Sequence, residues 1–235
     1  MDTRLPISIL QQPDDTTCGP TCLHAVYQYY GDKISLDEVI RMTPMLDTGG
    51  TLAVMLANNA LARGYRADIY TYNLQMFDPS WFVSSKIKIM DKLRRQAEAK
   101  MEDNKLQQAT AAYLEFLRLG GKIRFIDLTT RLIRGIIRRN LPILTGLSAT
   151  YMYRSMREYG PHDDYNDIRG DPSGHFVVLA GYHRKDRTVM VADPHLHDSV
   201  GGGHLYAVNI DRLICAVLLG VLTYDANLLV IQKDK

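Results

Sequence analysis

Gln11-Gln12-Pro13-Asp14-Asp15-Thr16-Thr17-Cys18-Gly19-Pro20-Thr21-Cys22-Leu23 is the stretch on which the reading of this chain turns. Pro6 to Pro13 reads as an extended lead-in. From Cys18 to Tyr30 the positions Cys22, Ala25, Val26 and Tyr29 then recur at helical spacing until Gly31 stops them. Pro20 suits a first helical turn, where its missing N–H costs nothing, and Gly19 admits close approach of backbone or substrate. Cys18 is therefore expected at a helix N-terminus, where positive charge favours a thiolate, the attacking form of the group, over a thiol. Gln12, six residues earlier, is expected to bring a side-chain N–H to the same place.

A thiol nucleophile needs a base, and the base needs an orienting acceptor. Both residue types arrive far downstream in strand-like surroundings: Gly174-His175-Phe176-Val177-Val178-Leu179 and, after a turn at Arg184 to Arg187, Val189-Met190-Val191-Ala192-Asp193-Pro194. Adjacent antiparallel strands set two such residues side by side. The expected roles are Cys18 as nucleophile and His175 as base, then as acid toward the leaving amine. Asp193 is expected to fix the tautomer of His175, and Gln12 to donate to the oxyanion beside the Cys18 backbone N–H. Gly19 and Gly174 are expected to leave room for substrate.

The rest of the chain supplies a frame. Ser35 with Glu38 three residues on is a capping-box pattern for a helix to Met42, and another helix is expected from about Thr51 to Arg63, then a strand from Arg66 to Tyr72. Ile87, Met90, Leu93, Ala97, Met101, Leu106, Ala109, Ala112, Tyr113, Phe116 and Leu117 keep a helical stripe that breaks near Asp103-Asn104 and ends at Gly120-Gly121. Residues 80–122 read as a helical insertion or lid. A helix from Asp127 to Arg139, a buried strand from Pro142 to Leu147 and a loop over 157–174 follow. Strands from His175 to Tyr182, Thr188 to Ala192 and Leu205 to Val208, a helix at Asp211 to Leu219 and a strand near Leu228 to Gln232 complete the pattern. Helices first and a mostly antiparallel sheet afterwards define an α+β class, a single catalytic domain over 1–235.

Composition excludes several classes. With 235 residues, 46% of them hydrophobic, the chain buries a sizeable core, and a net charge of +2 gives no case for nucleic acid. The longest apolar run, Leu213 to Leu222 broken by Gly220, falls far short of the roughly 20 residues of a membrane span. Three cysteines, an odd number, argue for a reducing compartment, and the N-terminus has no signal-peptide pattern, so a cytoplasmic protein is expected. Cys22 and Cys215 read as core. His195, His197 and Asp198 read as a loop beside the site, His24 and His183 as structural or exposed, and neither metal nor cofactor is expected. His162-Asp163-Asp164 and Asp167 read either as contacts for a basic or amine-bearing substrate or as a solvated loop. The basic faces of Lys86 to Lys100 and Arg131 to Arg139 read as solvated.

Gln12, Cys18-Gly19, the Gly174 to Leu179 segment and Asp193-Pro194 resemble the motifs of the papain-like cysteine peptidases that process bacteriocin leaders after a double glycine. Gly49-Gly50-Thr51-Leu52, with a helix ending at Gly64-Tyr65, is similar to the segment after the first helices there. This resemblance covers residues 5 to 75 and 125 to 232. It implies a papain-like fold with an N-terminal helical half and a C-terminal antiparallel sheet half, a Cys18, His175 and Asp193 triad with Gln12 as oxyanion residue, and a bacterial source. Thr17 stands where the leader peptidases carry an acidic residue, and residues 80–122 have no counterpart there. Gly174-His175-Phe176 with Gly181-Tyr182-His183 is also similar to phytochelatin synthase, which transfers γ-glutamylcysteine. The expectation is a stand-alone cysteine peptidase or amidase acting through a Cys18 acyl-enzyme on a peptide or an amide-containing small molecule. The alternatives are a γ-glutamyl or peptidyl transferase and a catalytically idle peptide-binding module.

Overall fold

A computed structural model describes residues 2–47, 49–196 and 203–233. His197, Asp198 and the first two glycines of the Gly201-Gly202-Gly203 loop lie outside the described residues. Helix α1 (Cys18–Tyr29) is buried along most of its length. It is preceded by a tight turn in which the Asp14 carboxylate accepts the Thr16 N–H at 2.9 Å. Helix α2 (Leu36–Met42) starts at Ser35, whose hydroxyl accepts the Glu38 N–H at 3.2 Å, as the capping pattern predicts. Helix α3 (Ala53–Ala62) has its first N–H capped from far along the chain, by the Asp225 carboxylate at 2.6 Å. It ends before Gly64, which sits at φ +84°.

The sheet joins β1 (Thr3–Arg4), β2 (Tyr65–Thr71), β3 (Lys122–Arg124), β4 (Ile143–Ser148), β7 (Gly174–His183), β8 (Thr188–Ala192), β9 (Leu205–Asn209) and β10 (Asn227–Lys233). Its order is β3-β2-β10-β4-β7-β8-β9, with β1 also on β7, and every pairing is antiparallel except β2 with β3. The short β5 (Glu158–Tyr159) and β6 (Asp164–Tyr165) form a separate hairpin inside the stretch read as loop.

Alternation along β7 explains the layering. Phe176, Val178 and Ala180 enter one core with α1 and α3, while Val177 and Leu179 enter a second core on the opposite face. Both faces of the strand are covered, so it reads as an unbroken apolar run. The second core is closed by α6 (Thr130–Ile137), α7 (Ala149–Tyr153) and α8 (Ile210–Leu219). Helix α6 begins three residues later than the reading from Asp127, because the Thr129 hydroxyl accepts the Leu132 N–H at 3.1 Å and sets the boundary there.

Two further differences have local causes. Helices α4 (Ile89–Ala99) and α5 (Asn104–Arg118) break at Asp103, whose carboxylate accepts the Leu106 N–H, and Met101 in the break is 73% exposed although the stripe counted it inward. Leu93, Leu106, Tyr113 and Phe116 share one core with α1 and α3, so this segment packs as a wall of the molecule. Cys215 is exposed, which corrects its reading as core: Ile210, Leu213, Ala216 and Val217 form the buried face of α8 and turn Cys215 away. Among the described residues, no helix is long and apolar enough to cross a membrane.

Candidate active site

Cys18 is the first residue of α1, half-buried at the mouth of a cleft. His175 is the second residue of β7, opposite Leu147 of β4. Asp193 follows β8, which pairs with β7 up to Val178 and Ala192. The sheet thus sets His175 Nε2 at 2.8 Å from Asp193 Oδ1, and Cys18 lines the same cavity as His175 and raises the proton affinity of its imidazole. The structure brings together three residues spread over 175 positions.

Gln12 and Gly19 are held by contacts that the sequence does not disclose. The Gln12 backbone N–H donates to Pro194 O at 2.9 Å, tying the lead-in to the Asp193 loop. Its side-chain amide donates to Asp14 O at 2.8 Å, so one of its two amide hydrogens is engaged locally, and its buried Oε1 has no partner among the described residues. Gly19 lines neither cavity of the cleft. It is buried, and an added Cβ would meet Thr51 at 2.5 Å and Phe176 at 3.3 Å, so its small size lets α1 pack close. Gly174 does line the cleft, and there a Cβ would meet Thr223 Oγ1 at 2.7 Å.

Asp193 is 0% exposed and fully bonded. Oδ1 accepts from His175 Nε2 and from the His195 backbone N–H at 2.9 Å, while Oδ2 accepts from the Tyr153 and Tyr206 hydroxyls, both at 2.5 Å. Burial opposes its charge, and the His175, Tyr153 and Tyr206 hydrogen bonds overcome that cost and hold the carboxyl down at about 2. Burial likewise works against the charged form of His175, but the bonds to Asp193 and Cys18 push the imidazole up to about 10. At neutral pH the site therefore favours an imidazolium.

Neither tyrosine was identified from sequence. Tyr206 reaches Asp193 through the pairing of Val191 with Tyr206 across β8 and β9, and Tyr153 through the short α7, which has too few residues to show a period. The other residues lie closer to expectation. Cys22 is buried and donates to Phe176 O at 3.2 Å, and His24 bonds Ile34 O. His183 lies between Asp2 and Asp186, and the His195 ring packs edge-on to His175.

Two cavities meet at Asp15, Gly174 and His175. One, about 180 Å³, includes Cys18, Gly50, Thr51, Lys105 and Asp225; the other, about 260 Å³, includes Gln12, Glu158, His162, Asp163 and His195. His162 and Asp163 thus face the site, while Asp164 and Asp167 line neither cavity. Lys105, from α5, donates to Thr223 O at 3.3 Å and sits 5.2 Å from the Tyr224 ring centre. Among the described residues, no group of three His, Cys, Asp or Glu side chains is arranged to hold a metal ion.

The α+β, papain-like fold is that of a cysteine peptidase, and it brings together a helix-borne cysteine, a strand-borne histidine and an aspartate just after the next strand. The chain belongs to the Peptidase C39 like family, which it matches over residues 4–207. Its fold is similar to a C39-like peptidase from Bacillus anthracis, at 14% identity and TM-score 0.53, covering 100% of this chain and 99% of that one. Weaker likenesses are to the peptidase domain of Streptococcus ComA, a bi-functional ABC transporter of a quorum-sensing pathway, and to a double glycine motif protease from an AMS/PCAT transporter in complex with its leader peptide. The first has 13% identity, TM-score 0.44 and 97% and 99% coverage, the second 13%, 0.46 and 99% and 95%. No curated protein matches.

Proposed function

We propose that this peptidase cleaves a peptide or amide bond through an acyl-enzyme on Cys18, with His175 and Asp193 completing the triad. The observation that carries the reading is the buried imidazole bonded to Asp193 at 2.8 Å in the cleft that Cys18 also lines. The Cys18 sulfur attacks the carbonyl carbon as a thiolate, and the His175 imidazolium then protonates the departing amine. His175 next takes a proton from water, whose oxygen attacks the thioester, and Cys18 leaves as thiolate. The Cys18 backbone N–H and the second Gln12 amide hydrogen stabilise the oxyanion.

The cavity holding Cys18 receives the acyl part and the one beyond His175 the leaving amine, since the imidazole must reach that nitrogen. Asp15, Glu158 and Asp163 make the leaving side acidic and favour a basic residue after the scissile bond. Residues 80–122 are an insertion whose α5 supplies Lys105 to the acyl side. Three free cysteines suit a cytoplasmic setting.

Iodoacetamide labelling of the native protein at pH 6 tests the reading. Cys18 should react faster than the exposed Cys215, and Cys18→Ser should abolish turnover with the fold intact. Equal rates would leave an idle peptide-binding module. A covalent adduct with an added amine acceptor would make the chain a transferase.

A further inference from the structure

Asp193 is held by more than its histidine. A carboxylate offers about four lone-pair sites, and here all four are taken: His175 and the His195 N–H at Oδ1, and the two phenols at Oδ2. The phenols come from separate elements, Tyr153 from α7 and Tyr206 from β9, so the carboxylate is gripped from two directions and cannot rotate about its Cβ–Cγ bond without breaking contacts.

Their chemistry matters as much as their position. An arginine or lysine here would cancel the carboxylate's charge. Burial raises both phenols far above their ordinary range, so each stays a neutral O–H donor at any working pH. Neutral donors fix the anion and leave its whole charge to act on His175. The other ionisable groups around the pair are Cys18 and Cys22 from α1, Glu158 from β5, Asp15 from the lead-in, and His195 and His204 flanking Asp193. Of these, Cys18 acts most strongly on the imidazole.

We propose that Tyr153 and Tyr206 are positioning residues of this site: together they lock Asp193 with Oδ1 toward His175 and so sustain the imidazolium beside Cys18. The proposal rests on the acyl-enzyme reading above. Losing the phenols frees the carboxylate to turn about its Cβ–Cγ bond, loosens the Oδ1 contact with His175, and so lowers the pH up to which the imidazolium persists.

The test uses Tyr153→Phe, Tyr206→Phe and the double variant, which keep the rings and remove only the hydroxyls. Two readouts are followed from pH 5 to 10: the ratio of Cys18 to Cys215 alkylation by iodoacetamide, and the His175 titration midpoint by NMR. In the double variant the His175 midpoint should drop by about one pH unit, as for a lost hydrogen bond to a charged group, and the alkylation ratio should fall with it, with each single variant between. Unchanged ratio and midpoint in the variants overturn the proposal alone, because the wild-type ratio still reports an activated thiol. A pH-independent loss with the midpoint unmoved also overturns it, since that is what a structural role produces. A wild-type ratio near one sinks the acyl-enzyme reading and the proposal together. If the variants do not fold, the wild type decides: two slowly exchanging tyrosine hydroxyl protons coupled to this site support the proposal, and their absence overturns it.

Discussion

Asp193 and Asp225 are both aspartates buried beside the same cleft, 0% and 5% exposed, and they hold protons in opposite ways. Asp193 is lowered to about 2, whereas Asp225 is raised by burial to about 6. Desolvation is the largest influence on both. What differs is the company: Asp193 touches an imidazole and two phenols. Asp225 bonds the Ala53 N–H and the Asn227 amide, while Lys105, a cation in the same cavity, spends its hydrogen bond on Thr223. A charge in contact overrides burial and a charge at a distance does not. One carboxylate is thus suited to chemistry and the other to capping α3.

The comparison breaks most visibly at Asp193. Asp193→Asn should lower kcat by about 10⁴-fold, because the amide favours the wrong imidazole tautomer. The measurement is turnover of a cleaved peptide, with near-native melting as the control; activity within tenfold of wild type would remove Asp193 from the triad.

Asp225 should leave its mark on stability. Its folded value lies above the 3.8 of the unfolded chain, so protonation favours the fold. Stability should fall by about 2–3 kcal/mol as pH rises from about 4 to 6, and Asp225→Asn should flatten that slope in denaturant titrations. Asp193 contributes with the opposite sign: stability present above 3.8 is lost as pH falls toward about 2. A slope between pH 4 and 6 that survives Asp225→Asn would show that another group carries it.

The smallest effect belongs to Lys105→Met. Removing this partly screened cation should move the Asp225 limb upward in pH by an amount equivalent to about 0.5 kcal/mol, with the Asp193 limb unmoved. A shift of the acid limb instead would mean that the two carboxylates are coupled.

Legibility followed the range of the interactions. Helix α1, the Ser35 cap, the α5 stripe and the long β7 were visible because each is written in residues a few positions apart. The short α7, β1 and β3 carried too few residues to show a period, and Cys215 was misjudged because its helix is apolar on more than its buried side. Gln12 lines the cleft with its amide turned to Asp14, a local bond that residue type alone does not disclose.

Order and local context in the sequence by themselves determined an α+β chain with a helix-borne thiol, a strand-borne histidine and an aspartate one strand on, because helix starts, strand runs and residue chemistry are local properties. Only the tertiary structure decided what surrounds Asp193, which cation reaches the acyl side and why Gly19 is small. Those depend on strand register and on contacts between residues tens to more than a hundred positions apart, such as Ala53 with Asp225 and Tyr153 with Asp193, where chain entropy leaves no local trace.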